Sequence, residues 1–328
     1  MELRTQRSGE RRGSHAAWAH RQAMKRALLA AFALWALGGC ASTGADATRT
    51  SDSAEAIAPT LWEARGPGGA KLHLLGSVHV GDAAMVEFGP RIEGAFASAD
   101  ELVVEVDVSD LAQEEAVRVT QRYGVIEPPE DLHSRVSKDT WNLLTDYLEG
   151  RGQPIAPFNH LEPWLVTMTI AVMEFEALGF DPELGVDRSF LARAADAAKP
   201  IVGLESIDGQ LSLLASLPLN VQEAMLRDTL EHSHEFRDEA LGMIDAWKRG
   251  DDASLEEIVF RGRGTDAELD VFYDRVILER NRRMADRLGQ LARDGKARFV
   301  VVGAGHMIGD AGIPALLASR GFQVSRVD

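Results

Sequence analysis

The chain has 328 residues, of which 45% are hydrophobic, and its formal net charge is −16. This length and hydrophobic content suit one large domain or two small ones, and they exclude disorder as the general state. After residue 39 the chain carries 28 Lys and Arg against 49 Asp and Glu, a net charge of −21. Because so acidic a body is repelled by phosphate backbones, we expect no nucleic-acid partner.

The N-terminal region has the pattern of an export signal. Arg21, Lys25 and Arg26 precede an apolar run over 27–37, and Leu-Gly-Gly-Cys over 37–40 follows directly. The apolar run is too short to be a stable membrane span. A basic flank followed by a short apolar core is typical of a signal peptide.

Cys40 is the only cysteine of the chain, so no internal disulfide and no thiolate metal cluster can form. Its Leu-Gly-Gly-Cys context resembles the bacterial lipobox, in which the cysteine is acylated and becomes the new N-terminus. We predict a lipoprotein signal peptide over 1–40, with translation starting at Met24, and a flexible tether over 41–58. An ordinary cleaved signal with a chance cysteine is the alternative. By resemblance, Ala41 favours an exported, lipid-anchored protein at the periplasmic face of the outer membrane.

The body, residues 59–328, has strands at both ends and helices in the middle. Two β-rich runs at 61–64 and 71–75 flank Gly66-Pro67-Gly68-Gly69, a pattern that predicts a hairpin. We predict one α/β domain whose N- and C-terminal segments share a central sheet, with a large helical insertion over about 110–295. Further strands are predicted over 101–107, 200–204, 299–303 and 322–327. Separate helices are predicted over 85–97, 160–178, 187–198 and 313–320, and helical patterns also extend to about 151 and fill 207–293.

Two histidines stand in the same local context. Gly76-Ser77-Val78-His79 follows one apolar run, and Gly303-Ala304-Gly305-His306 follows another. A glycine at a strand end allows a sharp turn, and ligands of open α/β sheets bind beyond the carboxyl ends of the strands. Neutral imidazole is a common metal ligand and a base near neutral pH. We therefore predict that His79 and His306 face one crevice, although a single such histidine would be read as structural.

Glu105 is the third candidate, because it stands in the apolar run Glu-Leu-Val-Val-Glu-Val-Asp over 101–107. A carboxylate inside so apolar a strand is costly unless it has a partner. A metal ion or an arginine would supply one. The alternative is an edge-strand carboxylate that faces water.

The order of several motifs resembles the TraB/GumN family (TraB/PrgY/GumN), which includes the Tiki proteases. The resemblance covers about residues 60–328. It implies a fold like that of Tiki, erythromycin-esterase and ChaN-like haem-binding proteins, and a divalent-metal-dependent peptidase activity. It also places His79, Glu105 and His306 in the site, and Arg280 and Asn281 match the family's Arg-Asn element. The motifs are LLGSVHVGD, LVVEVD, GVDRSFLARAADAAKPIVGLES, ERNRRM and VVGAGHMIGDAGIPALLASRGFQVSRV.

The resulting hypothesis is a hydrolase with a divalent ion (Mn, Co or Zn) held by His79, His306 and Glu105, which lowers the pKa of a bound water. Arg280 would stabilise the oxyanion, and Asn281 would orient a histidine or a water; the alternative for both is a solvated helix face. The substrate would be a peptide or a small molecule. Two other functions stay open. One is a metal-free, esterase-like hydrolase with His79 or His306 as the base, paired with Glu105; the other is a non-enzymatic lipoprotein that binds haem or a peptide.

Other polar residues have weaker signals. Glu205 and Gln210 follow the predicted strand 200–204, so Glu205 is a further candidate for the crevice. Asp187 is interpreted as a helix N-cap, since Asp there accepts from free backbone amides. His73 is interpreted as a surface position of its strand. The remaining histidines of the body are interpreted as structural: His133, His160, His232 and His234.

Overall fold

The computed structural model describes residues 57–108, 110–260, 263–264 and 267–327, without the side chains of 110–114 and 269. The predicted signal peptide, Cys40 and most of the predicted tether lie outside these residues. Within them, every helix is too short or too polar to traverse a bilayer.

Six strands form one mixed sheet: β1 (Leu61–Arg65), β2 (Lys71–Ser77), β3 (Glu101–Val104), β4 (Ile201–Gly203), β5 (Ala297–Gly303) and β6 (Gln323–Arg326). Their order is β4-β3-β5-β2-β1-β6. The strands β4, β3, β5 and β2 are parallel, and β1 is antiparallel to both of its neighbours. The C-terminal β5 therefore lies between β2 and β3, which confirms the predicted sheet shared by the two ends of the chain.

The helical insertion lies between β3 and β5 in the chain and is interrupted by β4. The helices are α1 (Pro90–Ser98), α2 (Asp110–Gly124), α3 (Leu132–Arg135), α4 (Lys138–Gly150), α5 (Pro163–Ala177), α6 (Val186–Asp196), α7 (Ile207–Ala215), α8 (Leu219–Glu231), α9 (Phe236–Arg249), α10 (Asp252–Phe260), α11 (Ala267–Phe272), α12 (Glu279–Leu291) and α13 (Ile313–Ser319). Short 3₁₀ turns are Ala83–Val86, Ala156–Phe158, Pro182–Leu184, Ala292–Asp294 and Ala304–His306, and Tyr273–Leu278 is π-helical.

Helices cover both faces of the sheet. On one face, Phe190 of α6 packs on Phe299 of β5, with ring centroids 4.8 Å apart. On the other face, Leu288 of α12 and Leu317 of α13 belong to the same apolar cluster as Val300 of β5. Since successive side chains of a strand point to opposite faces, the central strands are apolar on both. The polar side chains that are candidates for the site therefore lie at the ends of the strands.

Three local predictions were wrong in detail. The helix predicted over 85–97 is divided, because Pro90 follows the N-cap residue Gly89 and begins α1. The strand predicted over 101–107 ends at Val104, so Glu105 lies just beyond it. His73 is only 8% exposed rather than a surface residue, because β2 is an interior strand and its imidazole lies 3.4 Å from a carboxylate oxygen of Glu63 on β1.

Candidate functional site

The two Gly-x-x-His turns lie side by side at the carboxyl ends of β2 and β5. In the register of these strands, Ser77 is opposite Gly303. A Cβ atom on Gly76 would approach the Cα of Ala304 to 2.9 Å, so glycine allows the two turns to pack directly. Trp247 Nε1 donates a hydrogen bond of 2.8 Å to the carbonyl of Gly76 and fixes the first turn.

His79 is held by an aspartate from α6. Its Nδ1 lies 2.9 Å from Oδ1 of Asp187. The N-cap of α6 is Gly185, so the predicted capping role of Asp187 is wrong, and the carboxylate serves the imidazole instead. Glycine is needed because a Cβ there would lie 2.6 Å from the carbonyl oxygen of His79. Val186 N also donates to the carbonyl of Val78 at 3.0 Å, which brings the start of α6 under the turn.

The second ring nitrogen of His79 is available for chemistry. Because a carboxylate only accepts, His79 donates its Nδ1 proton to Asp187, and in the neutral ring Nε2 carries the lone pair. Nε2 is buried and has no hydrogen-bond partner among the described residues. Burial disfavours protonation of the ring, but the charge and hydrogen bond of Asp187, together with the charge of Glu105, outweigh it and raise the pKa of His79. The pair has the arrangement of a general base and the group that orients it.

Glu105 is buried and held by three donors. Its Oε1 accepts a 2.7 Å bond from Gln210 Nε2 and another from Arg280 Nη2, and its Oε2 accepts a 3.0 Å bond from the backbone N–H of Gly303. Burial alone would raise its pKa, but the charge of Arg280, the two histidines and the Gly303 N–H lower the pKa of Glu105 to about 2. Of the two partners expected for a buried Glu105, a metal ion or an arginine, the structure shows the arginine. Glu105 is ionised.

Arg280, on α12, is 1% exposed and uses all five of its N–H groups. Nε and Nη2 donate to Glu205 Oε2, and Nη2 also donates to Glu105 Oε1. Nη1 donates to the carbonyl of Val276 at 3.3 Å and to His306 Nε2 at 3.2 Å. Val276 lies in the π-helical turn that precedes α12, an irregularity frequent at functional sites. Arg280 is thus a fixed cation between two carboxylates and a histidine.

Glu205 and Gln210 complete the acidic side of the centre. Glu205 follows β4, and besides Arg280 its Oε2 accepts a 3.1 Å bond from Gln210 Nε2. Gln210 therefore spans Glu105 and Glu205 with one amide nitrogen. The position of Glu205 directly after a strand predicts that it lines the crevice. No sequence pattern predicts that Gln210 bridges the two carboxylates.

His306 is neutral and oriented by Asn281. Asn281 Nδ2 donates to the carbonyl of Ala311 at 2.8 Å, so its Oδ1 faces His306 Nδ1 at 2.5 Å and accepts the ring proton. The His306 Nε2 lone pair then faces Arg280, and Nε2 lies 3.9 Å from Glu105 Oε2. Burial and the charge of Arg280 lower the pKa of His306 to about 3.

The predicted site residues come together from opposite faces of the sheet. His79 is held by α6 on one face, and His306 by α12 on the other. Glu105 acts electrostatically on both rings from the end of β3, the strand that pairs with β5 on the side away from β2. A small pocket borders the acidic side of this centre, where Gln210 and Arg280 meet Leu213, Leu214 and Val276.

The donor set does not fit a divalent ion shared by His79, Glu105 and His306 in this arrangement. The Nε2 lone pair of His306 is used by Arg280, and the same guanidinium holds Glu105. An ion among these three donors would displace a group that is always positively charged. Within the described ranges, no cluster of three or more His, Cys, Asp or Glu is arranged to hold a metal. The metal ion stays a prediction. Of the predicted donor nitrogens, Nε2 of His79 forms no hydrogen bond with any described residue.

A model of the TraB/PrgY/gumN family matches residues 60–326. The chain belongs to this family. A TraB/PrgY/gumN relative from Escherichia coli K12, named "Uncharacterized protein YbaP", is 27% identical over 256 residues, which cover 76% of this chain and 89% of that protein. An "Uncharacterized protein" of Treponema pallidum (strain Nichols) is 21% identical over 281 residues, covering 79% and 80%. No solved structure matches the chain significantly.

Proposed function

We propose that this protein is a hydrolase in which the His79–Asp187 pair activates a water molecule. One observation carries the proposal: His79 Nε2 is buried and has no partner in the part of the chain that the structure describes, while Nδ1 is held at 2.9 Å by a carboxylate. This is the arrangement of a general base whose tautomer and orientation are fixed by an acidic residue. The raised pKa of His79 makes the ring a stronger base than a free imidazole.

The reaction that suits these groups is hydrolysis of an ester or amide. His79 Nε2 takes a proton from water as the water oxygen attacks the carbonyl carbon. The protonated ring then gives that proton to the leaving oxygen or nitrogen as its bond to the carbonyl carbon breaks. Water and an ester thus yield an acid and an alcohol, and water and an amide yield an acid and an amine. Asp187 stabilises the transient imidazolium.

Arg280 contributes its charge rather than a free hydrogen bond. All five of its N–H groups are used, so a direct bond to an oxyanion would require release of one of them. A fixed cation in a buried site still stabilises negative charge that develops nearby, because no reorganisation is needed. Glu105 and Glu205 hold it in place, and the oxyanion role predicted for Arg280 becomes an electrostatic one in this proposal.

A divalent-metal-dependent peptidase, the activity implied by the family resemblance, is the second candidate. The unpartnered nitrogen of His79 favours it, because such a nitrogen is a ready metal donor. It requires Arg280 to leave His306. The ester and peptide probes of the experiment below distinguish a small-molecule substrate from a peptide substrate. A wild type that turns over neither probe leaves the non-enzymatic binding of haem or a peptide as the alternative.

The experiment compares the full-length wild type with H79Q, D187N and H234Q in detergent. His234 is a matched control because its side chain is 71% exposed. The probes are p-nitrophenyl acetate and a mixture of peptides analysed by mass spectrometry. We expect H79Q to lose about 10²–10⁴-fold in kcat, as for loss of a general base, and H234Q to retain activity. A wild type that turns over neither probe, or an H79Q variant as active as wild type, would overturn the proposal.

The site of action proposed here is outside the cytoplasm, on a membrane anchor at Cys40. The support is the basic and apolar pattern that ends at Leu37-Gly38-Gly39-Cys40. Metabolic labelling with radioactive palmitate tests it. Label should enter the wild type and be absent from C40A; label in both variants, or in neither, contradicts the anchor.

A further inference from the structure

The hydroxyl of Ser77 is a second buried polar group without a partner in the first Gly-x-x-His turn. Ser77 is 0% exposed, and its Oγ has no hydrogen-bond partner among the described residues. An unsatisfied buried hydroxyl destabilises a fold, so its presence calls for an explanation such as a bound water or substrate atom.

The strand geometry places this hydroxyl on the face of the sheet that α6, the helix that holds the proposed base, covers. Ser77 ends β2 opposite Gly303, whose N–H donates to Glu105. Since side chains alternate along a strand, Ser77 shares the face of Leu75, and Leu75 belongs to the apolar cluster that includes Val186 of α6. This is the face from which α6 holds His79. Two polar atoms without partners, Ser77 Oγ and His79 Nε2, thus come from one four-residue turn.

We infer that Ser77 Oγ and His79 Nε2 together bind the water that attacks the substrate. The water donates one hydrogen bond to the lone pair of His79 Nε2 and accepts one from the Ser77 hydroxyl. Its remaining lone pair is left for the carbonyl carbon. The inference rests on the function proposed above, and it adds a second catalytic group that holds the reacting water.

Ser77 is not assigned as a nucleophile. Among the described residues no hydrogen bond joins Ser77 Oγ to His79, so the couple that activates the serine of a serine hydrolase is not formed. A hydroxyl that binds water and is not itself acylated leaves no covalent intermediate. The two roles are therefore distinguishable by mass.

The test is the S77A variant of the full-length protein, measured for both kinetics and thermal unfolding. Because the Ser77 hydroxyl binds the water and no described protein group, S77A breaks no hydrogen bond between protein groups, and we expect the unfolding temperature to stay close to that of the wild type. For p-nitrophenyl acetate we expect kcat to fall at least about tenfold, with KM within about twofold, since the substrate itself is still bound. In S77A, kcat should therefore fall without a fall in the unfolding temperature.

The matched control is T167V, because Thr167 is equally buried but its hydroxyl donates to the carbonyl of Pro163 at 3.0 Å. Loss of a satisfied bond should lower the unfolding temperature and leave kcat unchanged. An S77A variant with wild-type kcat, or with a lowered unfolding temperature, overturns the inference, as does an acetyl adduct on Ser77. If H79Q is inactive while S77A is fully active, only the role of Ser77 fails; if H79Q is active, the proposed function itself fails.

Discussion

His306 Nε2 accepts a 3.2 Å hydrogen bond from Nη1 of Arg280. A guanidinium has no acceptor and stays protonated, so this contact requires a lone pair on His306 Nε2 and a proton on Nδ1, where Asn281 receives it. The histidine of the second Gly-x-x-His turn is therefore a neutral member of a hydrogen-bonded network, whereas the histidine of the first turn is the basic one. The two copies of the Gly-x-x-His pattern therefore have different electrostatic roles.

The protonation state of His306 is directly measurable. We expect its ¹⁵N NMR signals to show the Nδ1–H tautomer and to stay neutral down to about pH 5, because Arg280 and burial lower the pKa of His306 to about 3. The H306Q variant, which lacks these signals, assigns them. A ring that becomes charged near its ordinary pKa would contradict the network.

The D187N variant tests the pairing of Asp187 with His79 through a pH profile. A base works when neutral, so kcat/KM should rise with pH through the pKa of His79, which the Asp187 carboxylate raises above the ordinary 6.5. In D187N that charge is lost, and the acid limb should move to lower pH. The maximal rate should also fall by about 10²–10⁴-fold, because the amide no longer fixes the Nδ1–H tautomer. An acid limb unchanged in D187N would separate the two residues functionally.

Much of this centre could be predicted from the sequence, because the end of a buried strand has a recognisable pattern: an apolar run followed by a glycine. The glycines before His79 and His306, each after an apolar run, indicated turns at the same edge of a sheet. Asp187 was misread because the sequence does not show which residue begins α6; Gly185 takes the N-cap, and the acidic side chain two residues later is free to reach His79. That contact depends on packing across 108 residues of chain separation.

The sequence could not show whether a metal ion or a side chain lies between the predicted ligands. Ligand residues are visible in a sequence, but the group that occupies the space between them is not. Arg280 was predicted to face the substrate, and the structure instead turns it inward to Glu105, Glu205 and His306. The choice is made by two carboxylates at the ends of β3 and β4, which come together only when these parallel strands pair.

Metal removal is the next prediction. If Arg280 is the cation of this centre, the activity should survive a strong chelator, and elemental analysis of the full-length protein should find less than one equivalent of Mn, Co or Zn. The analysis should include H79A and H306A. A stoichiometric metal in wild type that disappears in both variants would establish the metal-dependent candidate instead.

The R280M variant should be strongly destabilised. It leaves Glu105 and Glu205 buried without their cation, and breaking a buried ion pair costs about 3–5 kcal/mol. Arg283 is the control, since it lies 3.7 Å from Glu205 but is 54% exposed. The free energy of unfolding in urea should therefore change by less than about 0.5 kcal/mol in R283M. Equal stability of R280M and wild type would show that the carboxylates have another partner.

The methyl group added by the substitution G185A should push α6 away from the first Gly-x-x-His turn. Gly185 has a backbone conformation that alanine adopts easily, but the added Cβ would lie 2.6 Å from the His79 carbonyl. We expect G185A to lose about 1–3 kcal/mol of stability through overpacking, and to lose kcat because Asp187 is carried away from His79. In the control G289A, no described residue lies within 4 Å of the new Cβ on α12, so stability should rise by about 0.5–1 kcal/mol with unchanged activity. If G185A lowers stability but keeps the wild-type kcat, the close approach of α6 serves packing alone, and the His79–Asp187 distance does not limit the reaction.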